Sequence, residues 1–315
     1  MKQHFTFAST DRRTRIHAVC WRDENVQPIA VIQLIHGMVE HIGRYNEFAE
    51  YLAERGFIVV GHDHLGHGRS VVSEEDYGYF ADDQPAMVLL QDIHRLRLAT
   101  AYKFPELPYF MLGHSMGSYL LRRYLASQGE GLAGAIIMGT GRENEIALNA
   151  GLAMIKHEAN KNGWRFRSEA VKKLTFGKDY KQFDTTGEDP SGSWLSKNEE
   201  NVKAYYADPM CDFLFTLNGY WVLLSTVKFD NQKKNIEAVP KELPILFVSG
   251  EDDPVGHMGK GVKKVYNDFV KAGIADVSCR LFEGDRHEIL NELDRDEVYA
   301  YIYDWLDARI EKKTE

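Results

Sequence analysis

Short apolar runs alternate with helix-like segments along most of this chain. The runs IAVIQLI at residues 29–35 and FIVVGHD at 57–63 are typical of strands that are covered on both faces. Between them, RYNEFAEYLAERGF places Phe48 and Leu52 one turn apart and ends near Gly56, which predicts a helix. The N-terminal segments HFTFAST and RIHAVCW instead alternate in polarity, which predicts a hairpin of half-buried strands.

The same alternation continues towards the C-terminus. Helices are predicted at residues 85–102, at 116–127 and near 295–310, because apolar side chains recur there at helical spacing. Further strands are predicted from the segments PYFMLG, AGAIIMG, PILFVSG and VSCRLFEG. Strands that alternate with helices predict an α/β fold with a mostly parallel, doubly wound sheet.

One stretch, from about residue 141 to residue 228, breaks this alternation. It has helical patterns and no clear buried strand, so we predict an α/β core of residues 1–140 and 229–315 with a helical cap inserted at 141–228. Aromatic residues recur in the insertion, and the sequence leaves open whether they line a ligand site or form its own core. They are Trp164, Phe166, Phe176, Trp194, Phe213, Phe215, Tyr220 and Trp221.

The charge of the chain narrows the classes of ligand. The formal net charge is −9, which argues against a nucleic-acid-binding protein and against a basic membrane-docking patch. Residues 142–240 contain 14 basic and 14 acidic side chains, so the whole acidic excess lies outside the insertion. A neutral, aromatic-rich cover over an acidic body suits an uncharged or apolar ligand.

Other features of the chain predict a cytoplasmic location. The N-terminal segment has no apolar core after its first charge, and no run of about 18 apolar residues occurs. Three cysteines, Cys20, Cys211 and Cys279, are scattered without metal spacing and predict no disulfide framework.

The stretch GHSMG at residues 113–117 is the first candidate for chemistry. A serine between two glycines, after a strand and before a helix, can form a strained elbow that exposes the hydroxyl of Ser115. At the N-terminus of a helix, Ser115 would lie where the helix dipole favours developing negative charge. This context predicts a nucleophile.

A serine nucleophile needs a base and a group that orients the base. Asp252 and Asp253 follow the strand at residues 245–249, and His287 follows the strand at 277–282. Nucleophile, acid and base therefore occur in the order Ser, Asp, His, each after its own strand, as expected of an α/β-hydrolase arrangement. The carboxyl ends of parallel strands share one edge of a sheet, where ligands bind.

A further loop could stabilise the oxyanion. The stretch LIHGMVEHIGRY at residues 34–45 also follows a buried strand, and its turn can direct the backbone N–H of Met38 at the pocket. Together with the backbone N–H of Met116, it would form an oxyanion hole.

Two histidine-rich stretches resemble metal sites only at first sight. The histidines and glutamate of residues 36–41 fit neither the zinc helix pattern nor its inverted form. Residues 62–70, HDHLGHGRS, are better explained as a turn in which the carboxylate of Asp63 accepts backbone N–H groups. No metal site is therefore expected.

Taken together, HGMVEHIGRY, GHDHLGHGRS, GHSMGS, GEDDPVG and GDRHEILNE resemble the monoacylglycerol lipase and lysophospholipase-like α/β hydrolases, which are often grouped with serine aminopeptidases. The resemblance implies Ser115 as nucleophile, Asp253 as acid, His287 as base, and Met38 and Met116 as amide donors. It further implies hydrolysis of fatty-acyl esters such as monoacylglycerols or lysophospholipids, without a cofactor.

Two alternatives stay open. A serine aminopeptidase would need a carboxylate under the cap for the α-amine of its substrate, and Glu145, Glu158 and Asp212 are candidates. A non-catalytic binding protein on the same scaffold is disfavoured, because all three triad residues are present. The expected partner is a small-molecule acyl ester, with no nucleic acid and at most transient membrane or micelle contact through the cap. The sequence leaves the oligomeric state open.

Overall fold

A computed structural model describes residues 1–310 of the chain. In this range, the strands are β1 (Lys2–Ala8), β2 (Arg15–Trp21), β3 (Ala30–Ile35), β4 (Phe57–His62), β5 (Tyr109–His114), β6 (Gly134–Met138), β7 (Ile245–Gly250) and β8 (Val277–Phe282). The α-helices are α1 (Asn46–Ala53), α2 (Pro85–Lys103), α3 (Met116–Gln128), α4 (Glu145–Asn162), α5 (Glu169–Thr175), α6 (Glu199–Ala207), α7 (Leu217–Asp230), α8 (Lys233–Glu237), α9 (Lys260–Lys271) and α10 (Arg295–Asp307).

All eight strands belong to one sheet with the order β1-β2-β4-β3-β5-β6-β7-β8. The pairs β1/β2 and β2/β4 are antiparallel, and the other pairs are parallel. The mostly parallel α/β fold and the N-terminal hairpin predicted from the sequence are therefore confirmed.

Helices cover both faces of the sheet, which explains the continuous apolar strands. In β3, Val31 and Ile35 belong to one core cluster, whereas Ile32 and Leu34 belong to the other. Side chains of α2, α3 and α9 complete the first cluster, and those of α1 and α10 complete the second. Every residue of β3 is buried as a result, so neither face can carry exposed polar side chains.

The described chain between β6 and β7 consists of helices joined by loops and contains no strand, and its one isolated β-bridge pairs Asp184 with Ser193. Within this part of the described chain, α7 packs against α4 and against α3 of the core. Leu217, Tyr220 and Val222 of α7 join the core cluster on one face of the sheet. The helical insertion therefore shares apolar packing with the sheet, and its boundaries at 141–228 stay a prediction.

Among residues 1–310, none of the helices combines the length and the apolar character that a membrane span requires.

Candidate active site

Ser115 occupies a strained turn between β5 and α3. Its backbone has φ 52° and ψ −120°, a left-handed conformation that side-chain-bearing residues rarely adopt. The turn is tight because a Cβ on Gly117 would overlap the carbonyl oxygen of Ile35, and one on Gly113 would overlap the carbonyl oxygen of Gly117. The two glycines thus allow the close approach that places Ser115 in the wall of a cavity.

Asp253 and His287 form a buried pair at the same edge of the sheet. His287 Nδ1 lies 3.0 Å from both carboxylate oxygens of Asp253, and the two residues are 2% and 0% exposed. The carboxylate also accepts hydrogen bonds from the Ser249 hydroxyl and the Val255 N–H. The adjacent Asp252 is exposed, so the structure brings Asp253 and not Asp252 to His287.

The charge of Asp253 decides which ring nitrogen of His287 carries the proton. Burial alone would raise the pKa of Asp253, but the His287 ring and the hydrogen bonds to the carboxylate hold that pKa below its ordinary value. An ionised Asp253 accepts a hydrogen bond from the Nδ1–H group of His287. The proton therefore stays on Nδ1, and Nε2 carries the free lone pair of the neutral imidazole. His287 Nε2 is buried and has no hydrogen-bond partner among the described residues, and His287 lines the same cavity as Ser115.

Met38 and Met116 line this cavity as well. Met116 is the first residue of α3, so its backbone N–H has no acceptor within the helix. In the loop that carries Met38, the neighbouring N–H of Gly37 donates to Glu40 Oε1 at 2.5 Å. The structure thus brings both predicted amide donors to the cavity that Ser115 lines.

Behind the elbow lies a buried ionic network that was not predicted from the sequence. His114 Nδ1 donates to Glu40 Oε1 at 3.2 Å, and His114 Nε2 donates to the backbone oxygen of His287 at 3.2 Å. Arg44 makes two hydrogen bonds to the carboxylate of Glu288, at 2.5 and 2.7 Å, and lies 3.5 Å from Glu40 Oε2. The network therefore links the nucleophile elbow, the oxyanion loop and the loop that carries His287.

The charges in this network support each other. Burial opposes the ionisation of Glu40, yet the hydrogen bond and charge of His114 together with Arg44 lower the pKa of Glu40 to about 2. Burial likewise opposes protonation of His114, but Glu40 raises the pKa of His114 above its ordinary value. Both nitrogens of His114 face acceptors, which favours the imidazolium form of the ring. The available signal was in the motifs themselves, because Glu40 and Arg44 lie within HGMVEHIGRY and Glu288 lies within GDRHEILNE.

The histidine-rich turn folds around Asp63, as the sequence predicts. Asp63 accepts hydrogen bonds from the backbone N–H groups of Ile42 and Arg69 and from His17 Nδ1. Close by, His67 Nε2 accepts from the Val39 N–H of the oxyanion loop, at 3.3 Å.

Burial keeps four histidines around this turn neutral. Desolvation lowers the pKa of His62 and of His67 to about 4, and it holds those of His36 and His64 well below the ordinary value. Both ring nitrogens of His62 and of His64 have no hydrogen-bond partner among the described residues. At neutral pH the rings of His62 and His64 are therefore uncharged and pack in the interior as apolar side chains do.

This cluster predicts steep loss of stability in acid. Below about pH 6.5 the unfolded chain binds protons at these histidines that the folded chain rejects, so the stability present at neutral pH falls until about pH 4. His62 and His67 would each contribute a loss of roughly 3 kcal/mol over this range. We expect His62→Phe to reduce the slope of unfolding free energy against pH by about 1.4 kcal/mol per unit, measured by urea unfolding between pH 4.5 and 6.5.

The matched control is His157→Phe, because His157 is exposed on α4. An unchanged slope in His62→Phe, or an equal change in His157→Phe, would contradict the assignment of the acid sensitivity to the buried ring.

The cavity above Ser115 has a volume of about 740 Å³. Leu148 of α4, Val171 of α5 and Leu224 of α7 contribute to an apolar wall, while Glu143, Asp179 and His257 form a charged group elsewhere in the lining. Of the aromatic residues in the insertion, five line the cavity, namely Phe176, Trp194, Phe213, Phe215 and Tyr220. Trp164, Phe166 and Trp221 are not among the lining residues, so the aromatics serve both as lining and as packing.

The carboxylates proposed for binding the α-amine of a peptide substrate do not lie together in the cavity above Ser115. Asp212 lines the cavity but is exposed, whereas Glu145 is exposed on α4 and neither it nor Glu158 is among the lining residues. The buried carboxylates beside the site, Glu40 and Glu288, are already paired with Arg44.

One group in residues 1–310, His41, Asp208 and Cys211, could hold a metal ion by distance alone. However, His41 Nδ1 accepts from the Gly43 N–H, so Nε2 carries the proton and donates to Asp208 Oδ2 at 2.8 Å. Burial also raises the pKa of the Cys211 thiol, which disfavours the thiolate that a metal requires. The residues therefore fit a hydrogen-bonded link better than a metal site.

The sheet order, the elbow after β5 and the acidic and histidine loops after β7 and β8 define the α/β-hydrolase class. The family model described as serine aminopeptidase, S33, matches residues 26–294. The chain belongs to this family.

Similar proteins of known type indicate which reaction this chain catalyses. Monoglyceride lipase of Rattus norvegicus is 28% identical over 291 residues, which cover 90% of this chain and 84% of that protein. A crystal structure of a thermostable carboxyl esterase from Bacillus coagulans, in complex with glycerol, superimposes with a TM-score of 0.89 at 29% identity, covering 98% of this chain and 99% of that one. An abhydrolase domain-containing protein of Dictyostelium discoideum is 27% identical over 289 residues; the match covers 91% of this chain but only 27% of that protein. The chain is a serine ester hydrolase.

Proposed function

We propose that this chain hydrolyses carboxylic esters of fatty acids through an acyl-enzyme on Ser115. The observation that carries the proposal is that Ser115 and His287 line one cavity while Asp253 holds His287 Nδ1. His287 Nε2 takes the hydroxyl proton as the oxygen of Ser115 attacks the acyl carbon. The backbone N–H groups of Met38 and Met116 stabilise the charge that develops on the carbonyl oxygen.

The ester bond breaks in the next step. His287 gives the proton to the leaving alcohol as the C–O bond cleaves, which leaves the acyl group on Ser115. Water then attacks the acyl carbon while His287 Nε2 accepts one of its protons. His287 returns this proton to the Ser115 oxygen as the bond between that oxygen and the acyl carbon breaks, which releases the carboxylic acid and restores the Ser115 hydroxyl. Every proton is carried by groups of this chain, the alcohol or water, so the cycle needs no cofactor.

We propose fatty-acyl esters with a small polar leaving group, such as monoacylglycerols or lysophospholipids, as the substrates. Apolar side chains of α4, α5 and α7 offer an acyl site. Arg44, a buried cation beside the site, is already paired with Glu40 and Glu288 and is not free to bind the phosphate of a lysophospholipid. Of the two proposed substrate classes, this favours the uncharged monoacylglycerols.

The insertion at 141–228 acts in this proposal as a cap over the carboxyl edge of the sheet. Its residues supply much of the cavity lining, including Leu148, Trp194 and Phe213. A cap of this kind would select substrates by shape and would meet a micelle or membrane surface at most transiently.

The proposal is tested by comparing an acyl nitrophenyl ester with an amino-acid anilide, beside labelling by a fluorophosphonate probe. We expect labelling of the chain and turnover of the ester. Turnover of the anilide alone would favour an aminopeptidase, and absence of labelling would favour a non-catalytic protein. Monoacylglycerols and lysophospholipids of one acyl length then separate the two head-group classes.

The apolar lining predicts selectivity for acyl length. Each methylene buried in the acyl site contributes about 0.8 kcal/mol, so kcat/KM should rise roughly fourfold per added carbon over the first few carbons. It should fall once the site is full. The measurement is kcat/KM for nitrophenyl esters from acetyl to dodecanoyl.

Leu224→Trp should move the preferred length towards shorter chains, because Leu224 of α7 lines the cavity. Leu98→Trp is the control, since Leu98 is 55% exposed on α2. A profile that is flat from acetyl to dodecanoyl would show that the cap does not line the acyl site.

A further inference from the structure

We infer that Trp194, contributed by the insertion, is a positioning residue for the base His287. The indole of Trp194 lies against the imidazole, with ring centroids 5.0 Å apart and planes inclined by 30°. This inference rests on the proposed function, in which His287 transfers the proton of Ser115. It assigns to the insertion a part in catalysis beyond selecting substrates.

The segment that carries Trp194 is joined to the loop that carries His287. The guanidinium of Arg286 donates to the backbone oxygens of Ser191, Ser193 and Ser196, on both sides of Trp194. The Glu288 N–H donates to the Leu195 oxygen at 2.8 Å. These bonds come from the two residues that flank His287 in sequence, so the indole and the imidazole are held as one unit.

A second set of contacts holds this unit from the other end of the loop. The carboxylate of Glu292 accepts from the Ser196 hydroxyl at 2.9 Å, from the Lys197 N–H and from the Arg286 N–H. The ammonium of Lys197 donates to Asp285 at 2.7 Å.

The imidazole is thus placed among three groups. Asp253 holds Nδ1, while the rings of Trp194 and of His114 lie 5.0 and 4.7 Å away by centroid. The charged groups behind His114 are Glu40 and the Arg44–Glu288 pair, which are matched among themselves. In this arrangement Trp194 supplies the ring from the insertion that packs against His287 and restricts its rotation.

The indole is itself held by aromatic neighbours. Tyr180 and Phe176 lie 5.3 and 5.9 Å from Trp194 by ring centroid, both at steep angles. Two effects on His287 follow from an indole fixed in this way. It shields the Nδ1–Asp253 hydrogen bond from water, and its π-face stabilises the imidazolium that forms as Ser115 attacks.

The test compares Trp194→Leu, which removes the ring, with Trp194→Phe, which keeps one. We expect kcat of the leucine variant to fall about tenfold with KM changed far less, and phenylalanine to restore most of the loss. The downfield proton resonance of His287 Nδ1 should broaden in Trp194→Leu and persist in Trp194→Phe. Absence of this resonance in His287→Gln assigns it.

Trp164→Leu is the matched control, since Trp164 is another tryptophan of the insertion that packs on Trp221. Trp194→Met fills much of the indole volume without a ring, and it replaces Trp194→Leu if that variant does not fold.

An unchanged resonance and kcat in Trp194→Leu would overturn the inference, as would a loss confined to KM, which is the mark of a mere wall of the cavity. Failure of the proposed function is recognised separately, because the wild-type chain would then resist the fluorophosphonate probe, and the inference would fall with it.

Discussion

Replacing Ser115 by alanine is expected to lower the turnover of a fatty-acyl ester by about 10⁶-fold, the cost of removing a triad nucleophile. The physical reason is that no other hydroxyl is placed on the elbow, whose backbone directs the residue at position 115 into the cavity wall. The fold should survive, since alanine and serine meet the same strain at φ 52°. Turnover and melting temperature of the purified variant are the measurements.

Ser127→Ala serves as the control, because Ser127 lies on the same helix and its hydroxyl only donates to the Tyr124 oxygen. Near-normal turnover by Ser115→Ala would end the acyl-enzyme proposal. Loss of folding in Ser115→Ala would instead show that the elbow depends on the serine hydroxyl.

Asparagine in place of Asp253 is expected to reduce turnover by about 10⁴-fold, the size of the effect in serine proteases. The amide has nearly the shape of the carboxylate, but its NH₂ group favours the His287 tautomer with the proton on Nε2. That tautomer cannot accept the proton of Ser115. Turnover of Asp253→Asn, measured beside its melting temperature, tests this.

Asp252→Asn is the matched control in the neighbouring position. Asp252 is exposed, and its backbone N–H, which the substitution keeps, donates to the Asp285 oxygen. We expect a loss below about tenfold for this variant. The reverse ranking of the two variants would show that the wrong carboxylate is assigned.

Much of the fold could be predicted because the order of apolar and polar residues within short segments indicates strands, helices and turns. Strands such as β3 and β7 are buried on both faces, so their sequences are nearly continuous apolar runs. The elbow at Ser115 could be predicted because two glycines flank it in the sequence. Asp253 could be preferred over Asp252 because the family resemblance implies it, and the following Pro254, which biases Asp253 towards extended backbone, favours the same choice.

The parts of the site that escaped prediction depend on contacts distant in sequence. Glu40 and Arg44 lie within the stretch that forms the oxyanion loop, but nothing in the local sequence shows that they meet His114 and Glu288. Trp194 was visible only as one of several aromatics in the insertion. Its approach to His287 depends on tertiary packing, which residue spacing does not encode.

The hydrogen bonds that join residues 191–197 to the loop at 283–292 also limit which segments of this fold can be exchanged with those of a related protein. Partners such as Lys197 and Asp285, or Ser196 and Glu292, are 88 and 96 positions apart in the chain. Because these contacts hold the His287 loop from residues far away in the chain, the final shape of that loop depends on the docked insertion. A chimaera that imports a new insertion therefore has to import the matching histidine loop too, whereas α4 and α5 can be exchanged without breaking these bonds.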